Sequence, residues 1–172
     1  MTELDYNGLT HRKGGFYMEK TLSVAKRFNE LFQAENSTDM DQMRMHKMMY
    51  LAQRESLMCN KEPLFSSEFQ GWKYGPVLPE VRNEYTTGKM FQLVSSDTLS
   101  EETKRLVKSV YERYKQFSSW KLSTLSHGEL SWKCSREGLK AEENGGVALK
   151  LSDMRVDAAR EFLRRKKMQE TV

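Results

Sequence analysis

The chain has 172 residues, of which 38% are hydrophobic and 30% charged, with a mean hydropathy of −0.75; this is the length of one domain, able to bury roughly 70% of the surface its unfolded form exposes. No run free of Asp, Glu, Lys and Arg exceeds seven residues, whereas a membrane-spanning helix needs about 20 mostly apolar ones, so a cytoplasmic protein without a membrane partner is expected. The excess of 28 Lys+Arg over 24 Asp+Glu leaves +4, too small to make nucleic acid the leading partner.

Residues 1–17 carry Gly8, Gly14 and Gly15 without periodicity and read as a flexible arm ahead of a domain over 18–168, with 169–172 as a tail. Leu22, Ala25, Phe28 and Phe32 form an amphipathic pattern that predicts a first helix over 19–33. Asn36-Ser37-Thr38-Asp39 ends it and offers caps for a second helix over about 39–58. There Met45, Met48, Met49 and Ala52 recur at i, i+3, i+4 and i+7 and predict a core face, with Met40 and Met43 left open and Glu55 outside that face.

Gly71, Gly75, Pro76 and Pro79 then stop helical structure, while Phe69, Trp72 and Tyr74 suit a short strand. Pro76 fixes its own φ and restricts the residue before it, a restriction that Gly75 accepts without steric cost. Pro79 fits the first position of a third helix over 79–85, where a missing N–H does no harm. The segment Trp72 to Val77 is therefore a stiff, aromatic-bearing corner.

Met90 to Val94 is short and apolar and reads as a second strand pairing with residues 68–74. Thr98 and Glu101 have capping-box spacing ahead of Leu106, Val107, Val110, Tyr111 and Tyr114, a clear amphipathic helix. Ser118 or Ser119 caps a short helix through Trp120, Leu122 and Leu125, with His127 at its C-terminus and Gly128 beyond. A polar loop over 135–146 precedes a last helix from Ser152, with Met154, Ala158, Phe162 and Leu163 facing inward and a basic end over 164–167. The fold expected is mainly α: one domain of about six helices with a small antiparallel hairpin around 68–74 and 90–94.

Nothing in the sequence points to catalysis. His11, His46, His127, Cys59 and Cys134 show no zinc-ligand spacing, and neither a phosphate-cradling glycine loop nor a Gly-x-Ser-x-Gly elbow is present. The two unclustered cysteines fit reduced thiols. No catalytic residue, cofactor or metal is assigned, and an enzyme is not expected.

Four motifs in order carry a family resemblance: Met45-His46-Lys47-Met48-Met49-Tyr50-Leu51-Ala52-Gln53; Pro63-Leu64-Phe65; Gly71-Trp72-Lys73-Tyr74-Gly75-Pro76-Val77-Leu78-Pro79-Glu80-Val81; and Leu122 to His127 followed by Trp132. They resemble the Panacea domain, the SocA-like antitoxin domain often associated with phage, over about 18–162. His46 stands where the family usually has Gln, Gly71 where it has Ala, Ser126 where it has Thr, and Leu130-Ser131 where an acidic residue and Pro are common before the Trp.

The resemblance implies a bacterial, type II-like antitoxin that neutralises a co-encoded protein toxin by direct binding. It marks Lys47, Tyr50, Trp72, Pro79, His127 and Trp132 as motif residues that shape the domain. The corner residues Lys73, Tyr74, Gly75 and Pro76, with Arg82 and Tyr85 beyond it, are the candidates for partner contact. An adaptor that delivers its partner to a protease is the alternative function. A nucleic-acid-binding regulator ranks last, and a homo-oligomer stays open.

Overall fold

A computed structural model describes residues 18–171; the expected arm over 1–17 lies outside the described residues. The elements run α1 (Thr21–Asn36), α2 (Gln42–Cys59), β1 (Gln70–Trp72), β2 (Gly75–Val77), α3 (Pro79–Thr86), α4 (Glu101–Tyr114), α5 (Ser119–His127), α6 (Leu130–Ser135) and α7 (Leu151–Glu170). The fold is mainly α, with seven helices among the described residues.

Helix α2 is the axis of the molecule. Asp41 caps it by accepting from the Arg44 N–H, and every residue from Met45 to Met58 is buried. A helix buried on all sides must be surrounded, and α1, α3, α4, α5, α7 and β2 all pack against it. Met45, Met48, Met49 and Ala52 are fully buried as their spacing predicts, and Met40 joins them in the core. Polar side chains on the other faces are enclosed too, so each needs partners. Gln53 shows the solution: its Nε2 donates to the Phe65 carbonyl at 2.9 Å and its Oε1 accepts from the Leu64 N–H at 2.7 Å. The Pro-Leu-Phe segment is thereby fastened to the central helix.

The hairpin is tighter than the sequence suggests. Gln70 pairs with Val77, Gly71 with Pro76 and Trp72 with Gly75, leaving Lys73-Tyr74 as the turn. Residues 90–94 are not the second strand. Met90 and Phe91 have φ of 46° and 62°, left-handed values that no strand tolerates, and the Phe91 N–H is taken by the Glu84 carboxylate at 2.7 Å. Phe91 is buried while Leu93 is 90% exposed. The free edge of β1 is covered instead by the segment before α7: the Gly71 N–H donates to the Val147 carbonyl, and the Leu149 N–H to the Phe69 carbonyl.

Three further expectations are corrected. Ser100, not Thr98, caps α4, its hydroxyl accepting from the Thr103 N–H. Helix α6 lies in the stretch that carries the last family motif and was not anticipated. In α7, Met154 and Ala158 face inward, but Phe162 and Leu163 are 53% and 56% exposed, because α7 meets α2 through Asp157, Glu161 and Arg165 rather than through an apolar stripe.

Candidate functional site

The Lys73-Tyr74 turn projects from a frame that satisfies nearly every backbone carbonyl around it. The Arg136 guanidinium donates to the Gly71 carbonyl at 2.9 Å, Trp132 Nε1 to the Trp72 carbonyl at 2.8 Å, Ser123 Oγ to the Tyr74 carbonyl at 2.8 Å and Lys47 Nζ to the Pro76 carbonyl at 3.2 Å. The Leu78 N–H donates to His46 Nδ1 at 3.3 Å. These donors come from α2, α5, α6 and the segment after α6, so four separate parts of the chain converge on one corner.

Gly75 explains why the corner can approach α2 so closely. Its φ is +110°, and a Cβ there would stand 2.6 Å from Lys47 Cε and 2.4 Å from Ser126 Oγ. Only glycine meets both demands. Lys47 itself is 2% exposed; burial pushes its ammonium down to about 7, against a weak opposing pull from Asp41. His46 is held at about 3, first by burial and then by the charges of Lys47 and Arg82, so its ring is neutral and Nδ1 is free to accept.

The remaining motif residues lie in or beside the frame of the corner. Tyr50 is buried, with its hydroxyl 3.0 Å from Asp157 Oδ2 and 3.0 Å from Ser131 Oγ. Pro79 occupies the first turn of α3. His127 stacks on Trp132 at 4.2 Å and 13° between planes. Burial and the Lys47 charge lower its pKa, against a hydrogen bond to the Lys73 backbone. The ring therefore serves the corner, whereas the end of α5 is closed by the Gly128 N–H.

Among the candidate contact residues, Gly75 and Pro76 are buried and Tyr85 is half-buried. The Tyr85 hydroxyl donates to the Met40 carbonyl at 2.8 Å and its ring meets Phe91 edge to face. The surface belongs to the rest. Tyr74 is 42% exposed, Lys73 Nζ lies 4.8 Å from its ring centroid, and the Arg82 guanidinium covers Trp72 at 5.2 Å.

The structure adds one residue to which the sequence reading gave no role beyond membership of a short helix. Trp120 is 62% exposed and meets Tyr74 edge to face at 5.4 Å and 86°. The signal was present: Leu122 and Leu125 are three apart, and Trp120, two residues earlier, falls off their face. Beside this pair, Trp72, Tyr74 and Val77 of the hairpin and Met43 and His46 of α2 line an apolar recess of about 280 Å³.

Among the described residues, no three His, Cys, Asp or Glu side chains gather to hold a metal, and both cysteines are free and exposed. The architecture defines a class: a mainly helical domain with a two-strand hairpin docked on a fully enclosed central helix. The family model for the antitoxin SocA-like, Panacea domain matches residues 45–133, more than half of the chain, and the chain belongs to that family. Comparison with curated proteins and with solved structures gave no match. The matched segment runs from α2 into α6; α1 and α7 lie outside it yet pack directly on α2.

Proposed function

We propose that this protein is a cytoplasmic antitoxin that neutralises a protein toxin encoded beside it by direct contact, and that the contact is made at the hairpin corner. The domain that does this spans 18–168. The observation that carries the reading is the exposed Tyr74–Trp120 pair, set on a corner whose carbonyls are already bonded. Rigid aromatic anchors lose little entropy on binding and dominate interface energetics. Lys73 and Arg82 flank the pair with positive charge, which favours a partner surface that is apolar at its centre and acidic at its edge.

The test is co-expression with the neighbouring gene. That gene alone should arrest growth, co-expression should restore it, and the two proteins should co-purify. Restoration by the Trp120→Ala, Tyr74→Ala double variant at wild-type efficiency would remove the corner from the interface. Failure of the intact protein to restore growth or to bind would overturn the antitoxin reading itself.

A further inference from the structure

Lys47 also borders a cleft of about 500 Å³ lined by residues of α2, α4, α5 and α7. That volume is in the range of small-molecule sites, roughly 300–1,000 Å³. Lys47 and Tyr50, 2% and 1% exposed, form its floor. Phe117, Leu122 and Leu125 supply an apolar wall. The remaining lining is strongly unbalanced in charge.

Lys47, Arg54, Arg113, Lys121 and Arg164 line the cleft, against the carboxylates of Glu129 and Glu161. Those two carboxylates are already spent: Glu129 Oε1 is 2.6 Å from Arg54 Nη1, and Glu161 Oε1 is 2.7 Å from Arg164 Nη2. Three cations remain without a counter-charge facing them. The side chains of Arg113 and Lys121 have neither a hydrogen bond nor an ion pair among the described residues, and the enclosed Lys47 ammonium has one bond, to the Pro76 carbonyl. Arg54 Nε is buried with no hydrogen-bond partner. A buried ammonium and a buried guanidinium N–H left short of acceptors, at the base of a cavity with two free cations, are the arrangement an anion completes.

We infer that this cleft binds a phosphorylated small molecule with a flat apolar body, of the class of a nucleoside diphosphate. Its phosphates would meet Lys47, Arg113 and Lys121, and its base the Phe117 and Leu125 wall. Depth favours a small molecule over a protein surface, because the floor residues are almost wholly enclosed. This inference does not depend on the antitoxin reading, since neither Tyr74 nor Trp120 lines the cleft.

The experiment is calorimetric titration of the full-length protein with adenosine diphosphate, with adenosine and inorganic pyrophosphate as the other arms. The diphosphate should bind with an affinity that falls as salt rises, and both partial ligands should bind at least about tenfold more weakly, a loss expected when charge-assisted bonds or the apolar contact is removed. Arg113→Glu with Lys121→Glu should abolish binding, and since both side chains are exposed the variant should keep the wild-type melting temperature. Lys166→Glu with Lys167→Glu, exposed on α7 away from the cleft lining, should bind normally. No binding by the wild type, equal binding by the Arg113/Lys121 variant, or equal affinity for pyrophosphate and the nucleotide would overturn the assignment. So would binding of an acidic peptide that the nucleotide does not displace.

Discussion

Lys47 Nζ donates to the Pro76 carbonyl across 3.2 Å, joining the middle of α2 to the hairpin through an ammonium that has no ion-pair partner among the described residues. The pKa of about 7 makes this join dependent on pH. Between pH 7 and the unfolded value near ~10.4, the unfolded chain holds a proton at Lys47 that the folded protein has released, so stability rises with pH across that window. Below pH 7 the burial penalty is fully present and the slope vanishes. Urea midpoints of the wild type and Lys47→Met should therefore diverge between pH 7 and 9.5, the wild type gaining up to ~1.4 kcal/mol per pH unit relative to the variant. Parallel curves would show that Lys47 titrates normally.

Met49→Ala removes a fully buried side chain and should cost ~2–5 kcal/mol. Glu55 differs from its sequence-based expectation. Its two carboxylate oxygens accept from Arg165 Nη1 and Nη2 at 2.8 and 2.7 Å, with side-chain exposures of only 16% for Arg165 and 11% for Glu55. Glu55→Ala should thus cost on the order of 2 kcal/mol by leaving Arg165 Nη1 and Nη2 without their acceptors, although Arg165 Nε keeps Glu161 Oε1 at 2.7 Å. Chemical denaturation of both variants checks this; an unchanged midpoint for Glu55→Ala would show that the pair contributes nothing.

The family's usual Ala at the position of Gly71 should not be tolerated here. A Cβ on Gly71 would stand 2.0 Å from Ser135 Oγ and 2.9 Å from Ser135 Cβ, where Ser135 is buried and bonded to the Trp132 carbonyl. Gly71→Ala should cost ~1–3 kcal/mol by overpacking. Introduced into a Ser135→Gly background, the same change should cost markedly less. Equal costs in the two backgrounds would rule out Ser135 as the obstacle.

At the corner, Tyr74→Ala, Trp120→Ala and Arg82→Ala should leave the melting temperature within a few degrees of wild type, since these side chains are exposed. If the proposed antitoxin contact is made here, each aromatic truncation should weaken binding of the co-encoded partner by ~2 kcal/mol, about thirtyfold. Trp132→Ala should do the reverse and destabilise the fold, because it removes the donor to the Trp72 carbonyl and the stacking partner of His127. Parallel losses of stability and binding in the Tyr74 and Trp120 variants would mark the corner as scaffold.

These contrasts also show what the sequence made legible. Periodicity located α1, α2, α4, α5 and α7, and the prolines and glycines located the corner, because both signals are local. The second strand was misplaced because Met90 to Val94 is apolar for a different reason. Phe91 is carried into the core by a left-handed loop whose N–H is captured by Glu84, and no local pattern encodes that capture. Glu55 was misjudged because residue type favours Glu outside and only the position of Arg165 reverses that preference; Trp120 was read only as part of a short helix, and its meeting with Tyr74 is set by tertiary structure that no local pattern encodes.

The clasp of α7 on α2 sets a schedule for synthesis. Helix α2 ends at Cys59, whereas α7, which covers it, begins at Leu151, about 90 residues later; at roughly 5–20 residues per second that interval lasts several seconds. Throughout it, Tyr50 lacks Asp157 and Glu55 lacks Arg165. The growing chain therefore carries the α7-facing side of its most buried helix uncovered until α7 has been made, and a protease or chaperone that reads that face has its opportunity in that interval and loses it once Arg165 has docked.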